Sequence, residues 1–299
     1  MAAKRVVVLG ARGVFGSLLV RELQGKYDVV PAGRDFDWSG AGFQPASQRR
    51  AGGAHHSIFA VLCAAGPFQT LDRNLARMAV EAGAHWLDIA DDEGWFFDLV
   101  DDSSLDALAR EKNVAVIPGL SSLPAVSGAL VRRLGSPKNV TITLHINNRN
   151  AKGAAAIASA AASGGRTLHT PDRELLRREL GIDAEARVEF ESAIARPMLR
   201  LLGRWPRFAA KLAKPFRFGK PGGAVEVRSG DRVARIESRD QRLAILPVVF
   251  ALEHLEEAKE SGHLARLPGA GGTPALLGLR GCLTPSVFDA EELLRFCAQ

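Results

Sequence analysis

Hydrophobic residues in the first 135 positions alternate between short apolar runs and amphipathic stretches. The apolar runs predict strands at Arg5–Leu9, Asp28–Ala32, Ser57–Cys63, His85–Ile89 and Val114–Ile117. Between them, helical spacing of apolar residues predicts helices at Val14–Leu23, Leu71–Ala82, Ser104–Lys112 and Pro124–Leu134. Ser103 and Asp106 have the spacing of a capping box and predict the start of the third helix. Alternating strands and helices predict a parallel sheet covered by helices.

The pattern changes after "SPKN", which we interpret as a domain boundary. "VTITLHINN" alternates apolar and polar residues like a strand with one wet face, and "AVEVRSGDRVARIES" predicts a hairpin turning at Gly230 and Asp231. "DQRLAILPVVFALEHLEEAKESG" predicts a long helix interrupted near Pro247, and the chain ends with a loop and a short amphipathic helix. We therefore expect three parts: residues 1–135, an antiparallel α+β domain at 136–266, and a return segment at 267–299 that packs on the first domain.

The junction between the first strand and the first helix contains three glycines at spacings of three, Gly10, Gly13 and Gly16. This context distinguishes a dinucleotide site from a chance glycine pattern. The first glycine permits a sharp turn, the second a close approach of backbone to pyrophosphate, and the third a close helix–sheet contact. The alternative is a tight turn without a ligand. We predict a cofactor site that also includes the loop residues Arg12, Val14 and Phe15.

The end of the second strand indicates which nucleotide binds. An NAD site usually has an acidic residue there, which bonds the ribose 2′-hydroxyl. This chain has Gly33 and Arg34 instead, and an arginine can pair with a 2′-phosphate. Arg12 could supply a second positive group. We predict NADP(H) rather than NAD(H), although Asp35 could bond a ribose hydroxyl and Arg34 could be a solvated loop residue.

Two further stretches carry a family resemblance: "VLCAAGPFQTLDRNLARMAVEAGAHWLDIADD" at 61–92 and "VAVIPGLSSLPAVSGALV" at 114–131. With the glycine loop, they resemble the NADP-binding domain of the saccharopine dehydrogenase/reductase-like family over roughly residues 5–135. The resemblance implies a doubly wound, Rossmann-type parallel sheet followed by a second, smaller α+β domain. It also implies that the segment containing Ala65, Gly66, Pro67 and Phe68 borders the nicotinamide and its ribose.

Several oxidoreductase mechanisms are excluded by the residues that the chain lacks. The one tyrosine, Tyr27, has Pro31 rather than lysine four positions on, which excludes a Tyr-x-x-x-Lys proton relay. No cysteine lies between Cys63 and Cys282, so a thioester-forming nucleophile after the nucleotide domain is missing. The ligands of a zinc dehydrogenase are also missing, and we predict no metal site. Cys63 itself lies in an apolar strand, where we expect a core role.

Reduction of a C=N bond remains consistent with these absences, because a protonated iminium is already electrophilic. Members of the family that this chain resembles form or break secondary amines. Our candidates for the proton relay are Asp91, Ser122 and His145, chosen by position alone. Each has a structural alternative: an aspartate or serine that caps a helix, or a histidine paired within a sheet. Three adjacent aromatic residues, Trp95, Phe96 and Phe97, could line the pocket or fill the core.

Composition and charge add constraints on partners. The chain has 299 residues, a net charge of +6 and three cysteines, and it lacks the run of roughly 18 apolar residues that a membrane span needs. We expect a cytoplasmic protein without a signal peptide, and a homodimer. The stretch at 196–220 contains eight Lys or Arg residues and no acid. It could be a solvated or dimer-facing segment, bind an acidic substrate or lie on an anionic membrane surface. No nucleic-acid-binding module is recognisable.

Together these observations predict an NADP(H)-dependent oxidoreductase that acts on a small C=N or amine substrate. One alternative is a non-catalytic NADPH sensor or a protein tethered to a membrane surface. Another is a C=C reductase acting on a lipid-like substrate. A catalytic protein needs a titrating group near the nicotinamide, whereas a binding module does not.

Overall fold

The computed structural model describes residues 3–33, 57–147, 168–190, 222–261 and 279–299. The strands are β1 (Arg5–Leu9), β2 (Asp28–Ala32), β3 (Ile58–Cys63), β4 (His85–Asp88), β5 (Ala115–Ile117), β6 (Asn139–Ile146), β7 (Asp183–Phe190), β8 (Gly223–Ser229), β9 (Arg232–Ser238) and β10 (Gly281–Cys282). The helices are α1 (Val14–Leu23), α2 (Asn74–Glu81), α3 (Glu93–Val100), α4 (Ser103–Lys112), α5 (Ser127–Arg133), α6 (Asp172–Leu180), α7 (Leu246–Ser261) and α8 (Ala290–Cys297). The chain divides into two compact units, Met1–Leu120 with Val248–Asp289, and Ser121–Pro247 with Ala290–Gln299.

The first unit contains a six-stranded sheet in the order β10-β5-β4-β3-β1-β2, and every described pair in it is parallel. All six residues of β3 are buried, as expected for a strand covered on both faces. Strands β1 and β3 are neighbours in this sheet. The chain moves outward from β1 to β2 in one direction, and from β3 to β4 in the other. Right-handed crossovers then place helices on opposite faces of the sheet. The predicted doubly wound parallel sheet is confirmed.

Strand β10 is absent from the prediction because two residues carry no periodicity. It pairs with β5, and the carboxylate of Asp106 on α4 accepts the N–H of Cys282 at 2.8 Å. Gly281 has φ +91°, and a Cβ there would lie 2.4 Å from Asp106 Oδ1. Glycine is therefore required where this edge strand meets α4.

The second unit contains a four-stranded sheet in the order β7-β6-β8-β9. The predicted hairpin is confirmed as β8 and β9, which turn at Gly230 and Asp231. The prediction of a purely antiparallel sheet is wrong, since β6 and β7 are parallel and α6 lies between them in the chain. Such a crossover could not be recognised in sequence without first finding β7.

Helix α5 packs against β8, β9 and α8 in the core of the second unit. Its residues Ser127 to Val131 are all buried. The hydroxyl of Ser127 donates to the buried carboxylate of Asp172 on α6, and the hydroxyl of Thr170 donates to the other oxygen at 2.7 Å. These hydrogen bonds satisfy a carboxylate that would be costly to bury alone.

Two predicted boundaries are corrected. The N-cap of α4 is Asp102, whose Oδ1 accepts the N–H groups of Ser104 and Leu105 at 2.9 Å, and Ser103 is already helical. Pro247 does not interrupt a helix, because it lies in the first turn of α7, where proline costs no hydrogen bond. The predicted domain limits at residues 135 and 266 stay predictions.

Candidate functional site

The glycine loop lies at the carboxyl end of β1, next to the point where the strand order of the first unit's sheet reverses. Gly10 has φ +78° and ends the strand, and the N–H groups of Gly10 and Ala11 both donate to the carbonyl of Ala32, at 2.9 and 3.2 Å. The N–H of Gly13 donates a hydrogen bond to the carbonyl of Gly10 at 2.8 Å. The loop is thus fixed to the end of β2, two positions before Arg34 in the sequence.

The packing around the loop shows why its glycines are needed. A Cβ on Gly16 would lie 2.0 Å from the carbonyl oxygen of Gly10, so α1 packs directly on the turn. A Cβ on Gly10 would lie 2.8 Å from backbone atoms of Ala64 and Ala65. For Gly13, the nearest atom is Gly10 O at 3.1 Å, a tight contact but not an impossible one. Gly10 and Gly16 therefore serve packing, whereas Gly13 leaves room in front of the helix.

The N-terminus of α1 presents free backbone donors. Its N-cap, Gly13, has no capping side chain, and the first turn contains no acidic residue. Within the described residues, no acceptor is found for the N–H groups of Val14, Phe15 and Gly16. Free N–H groups and the positive end of a helix dipole favour an anionic ligand. With the exposed side chain of Arg12 beside them, these groups fit the pyrophosphate of a dinucleotide.

The segment after β3 runs alongside the loop. Its Ala64 N–H donates to the carbonyl of Leu9 at 2.9 Å, which joins it to β1. Ala65 is buried. Among the described residues, no atom lies within 4 Å of a Cβ built on Gly66, so this part of the structure leaves open space beside it. Pro67 is half-buried. Phe68 is buried, with its ring 5.6 Å from that of Trp95. Small residues bordering open space at a carboxyl edge fit a flat ring.

Asp88, the last residue of β4, is a fully buried carboxylate. Its Oδ1 accepts the N–H groups of Ala90 and Gly119 at 3.0 Å, and its Oδ2 accepts the indole N–H groups of Trp86 and Trp95 at 2.9 Å. Burial raises the pKa of this carboxyl, and the four donors counter that rise. Because all four groups donate, a proton on either oxygen would find no acceptor among them, and we assign an anion.

The two aspartates that follow have different roles. Asp92 caps α3 by accepting the N–H of Trp95 at 2.8 Å, and its other oxygen accepts the amide of Gln69 at 2.8 Å. Asp91 as a whole residue is exposed. Desolvation by its surroundings raises the pKa of the Asp91 carboxyl, its own N–H partly offsets that rise, and the charge of Asp92 adds to it. The Asp91 carboxyl therefore binds a proton more readily than usual.

The other two catalytic candidates, Ser122 and His145, belong to the second unit, whereas Asp91 belongs to the first. Ser122 is half-buried in an irregular turn at Ser122–Val126 that precedes α5. His145 lies on β6 between two carboxylates, with Nδ1 3.5 Å from Glu189 and Nε2 3.8 Å from Glu226. The environment of His145 is that of a histidine paired within a sheet.

Sequence reasoning did not find the donors around Asp88. Trp95 and Phe96 are core residues, as one of the two alternatives expected, and Phe97 is half-buried. The pKa of the Cys63 thiol is raised by burial, in keeping with its expected core role. Arg34 and the basic stretch at 196–220 lie outside the described residues.

Two absences hold for the part of the chain that the structure describes. No group of three metal-ligating side chains occurs there. No helix there combines the length and apolar character that crossing a membrane requires.

Comparison with known proteins gives structural neighbours only. No family model and no curated protein matches the chain. An amine dehydrogenase from Mycobacterium smegmatis has a TM-score of 0.49 at 11% identity, with 95% of each chain covered. The C. glutamicum DAP dehydrogenase in complex with DAP and an engineered D-amino acid dehydrogenase bound to NADP+ each have a TM-score of 0.48 at 13% identity, covering 98% of this chain and 96% of theirs. The chain described here folds as a Rossmann-type parallel sheet with a second, mixed-sheet unit.

Proposed function

We propose that this protein is an NADP(H)-dependent oxidoreductase of the saccharopine dehydrogenase-like kind, acting on a small C=N or amine substrate. The observation that carries the proposal is the glycine loop at the carboxyl edge of β1. There, free N–H groups of α1 face a space that a side chain at Gly13 would enter. Doubly wound sheets bind ligands at this edge, where the strand order reverses between β1 and β3.

In this proposal, the two halves of the cofactor lie on different segments. The N–H groups of Val14, Phe15 and Gly16 would bond the pyrophosphate, and the segment from Ala65 to Phe68 would border the nicotinamide ring. When bound, the nicotinamide supplies or accepts a hydride. Arg12 and Arg34 would pair with the 2′-phosphate that distinguishes NADP(H) from NAD(H).

The choice of substrate rests on the family resemblance and on the groups that the chain offers. A protonated iminium needs only a hydride, so the missing Tyr-x-x-x-Lys pair and cysteine nucleophile do not hinder its reduction. Asp91 lies at the same edge, and its raised pKa favours a group that can take up and release a proton. In this role Asp91 would pair with the substrate amine and accept its proton.

Titration with NADPH and NADH, followed by nucleotide fluorescence, tests cofactor binding. The decisive variant is Gly13→Ala. Of the atoms that the structure describes, its methyl group would meet only Gly10 O, at 3.1 Å, so we expect the fold to stay intact while the methyl group enters the space before the helix. We expect it to weaken NADPH binding about 100-fold or more, as a blocked phosphate site should. Gly128→Ala is the control, since within the described ranges only Arg132 Nη1, at 3.8 Å, lies near the Cβ position of that helical glycine. Wild-type affinity in Gly13→Ala would refute the site.

The preference for NADP(H) is tested by Arg12→Ala and Arg34→Ala. The wild type should prefer NADPH by about tenfold or more, equal to about 1.4 kcal/mol. Each variant should lose affinity for NADPH and keep its affinity for NADH, because only the extra phosphate loses a partner. An equal loss for both nucleotides would contradict the assignment.

Turnover is tested by following NADPH absorbance with three classes of compound. These are cyclic imines, mixtures of an amino acid with a keto acid, and enoyl compounds. Oxidation of NADPH by imines supports the proposal, and oxidation only by enoyl compounds would favour a C=C reductase. Tight binding without turnover of any compound would favour a sensor. Asp91→Asn should reduce kcat with imines and leave the affinity for NADPH unchanged.

A further inference from the structure

The buried carboxylate of Asp88 has no part in the proposed chemistry. It nevertheless accepts four hydrogen bonds from residues of the first unit. These donors come from three places in the chain besides β4 itself: the loop at Ala90, helix α3 at Trp95, and the loop at Gly119 after β5. A buried carboxylate is costly unless such groups satisfy it. A neutral amide side chain at this position would direct its own N–H groups toward N–H donors and would leave some of them without an acceptor. The site is therefore built for a carboxylate that holds several segments at once.

One of these segments, α3, is joined to the residues after Ala65. The Trp95 ring packs against the Phe68 ring at 5.6 Å, and Asp92 at the helix start accepts the Gln69 amide at 2.8 Å. On its other side, the segment meets Gly10, where no Cβ would fit. The position of Ala65 to Phe68 thus depends on the glycine loop from one direction and on α3 from the other.

We propose that Asp88 is a positioning residue for the nicotinamide half of the cofactor. Through Trp95 it holds α3, and through the contacts of α3 with Phe68 and Gln69 it fixes the segment that would border the nicotinamide. This inference rests on the proposed function, since it requires that the glycine loop binds a dinucleotide.

The pyrophosphate half of the site has different supports. The loop is held by the carbonyl of Ala32 and by its own hydrogen bond from Gly13 to Gly10. None of the four donors of Asp88 belongs to that loop. A change at Trp95 should therefore affect the nicotinamide half of a bound nucleotide and leave the other half unaffected.

The two tryptophans provide a matched pair of variants. Trp95→Phe and Trp86→Phe each remove one indole N–H from the same Asp88 oxygen at the same distance, 2.9 Å. Trp95 contacts Phe68 directly. Trp86 lies within β4 and reaches that segment only through its packing against the Trp95 ring at 6.4 Å, a ring contact that phenylalanine retains. Phe68→Leu is a third variant, which weakens the link to α3 while all four donors remain. The probes are NADPH and 2′-phospho-ADP-ribose, a fragment that lacks the nicotinamide.

We expect Trp95→Phe and Phe68→Leu to weaken NADPH binding about tenfold, because the nicotinamide loses a preorganised wall. Both should bind the fragment within about twofold of the wild type, and Trp86→Phe should bind both probes like the wild type despite a similar loss of thermal stability. With an active substrate, the two affected variants should also raise the KM for NADPH more than they lower kcat.

Three results would overturn the inference. Trp95→Phe and Phe68→Leu could bind NADPH like the wild type, could lose NADPH and the fragment equally, or could match Trp86→Phe in every readout. None of these three results would refute the proposed function. Failure of the wild type to bind either probe would refute the proposed function and this inference with it. If Trp95→Phe does not fold, Gln69→Ala decides the question, because it removes the hydrogen bond to Asp92 on α3 and leaves Phe68 in place.

Discussion

Substituting Gly16 by alanine tests how closely α1 packs on the glycine loop. The new Cβ would lie 2.0 Å from Gly10 O and 2.5 Å from Gly10 C, distances that no real methyl group tolerates. Relief requires the loop and the helix to separate by about 1 Å, because both contacts are to backbone that cannot rotate away. The N–H groups that face the proposed pyrophosphate lie on that same backbone.

The magnitudes follow from this displacement. Overpacking costs about 1–3 kcal/mol, and the helical preference for alanine over glycine returns about 0.5–1 kcal/mol. The midpoints of these ranges leave a net loss of about 1 kcal/mol, which should lower the melting temperature by about 2–4 °C. A misplacement of about 1 Å in a binding site should weaken NADPH binding about 100-fold. Gly16→Ala should therefore lose both stability and affinity, whereas Gly13→Ala should lose affinity alone.

The assay is a thermal melt followed by circular dichroism, with an NADPH fluorescence titration on the same sample. Gly128→Ala is again the control, and there we expect a small gain in stability and no change in affinity. If Gly16→Ala melted at the wild-type temperature and bound NADPH as tightly, the close contact between α1 and the loop would be refuted. The third glycine would then have no role in the site.

Three further predictions concern stability. Gly281→Ala forces a positive φ and a clash with Asp106, and should cost about 2 kcal/mol or more in a denaturant melt; an unchanged midpoint would show that β10 does not dock on α4. The hydrogen bond from Arg110 and the N–H of Cys282 lower the pKa of Asp106 below its unfolded value. Its stabilising contribution is therefore present above about pH 4 and lost as the pH falls through the lowered pKa, and Asp106→Asn should flatten that part of the pH dependence of unfolding; parallel curves would contradict this. Ser127→Ala removes a buried donor from a carboxylate and should cost about 1–3 kcal/mol by urea unfolding, whereas wild-type stability would show that the hydroxyl is dispensable.

The sequence by itself determined the elements whose signals are local. The bounds of β1, α1 and β2 agree with the predicted ones to the residue, because an apolar run, a glycine turn and an amphipathic stretch follow each other without interruption. The glycine loop could be predicted as a candidate site for the same reason. The N-cap of α4 is not determined by sequence, since Asp102 and Ser103 are adjacent and both are good N-cap residues. Which of them caps α4 depends on where the first helical residue falls.

Only the tertiary structure decided the features that join distant parts of the chain. Strand β10 is two residues long and exists because β5 offers an open edge. The parallel pairing of β6 with β7 depends on a crossover through α6. Sequence alone does not distinguish Asp88 from the nearby Asp91 and Asp92. What distinguishes it is a donor at Gly119, 31 residues away, together with two indole groups that converge on one oxygen. Sequence patterns report the periodicity of single elements, whereas burial and hydrogen bonding arise when elements meet.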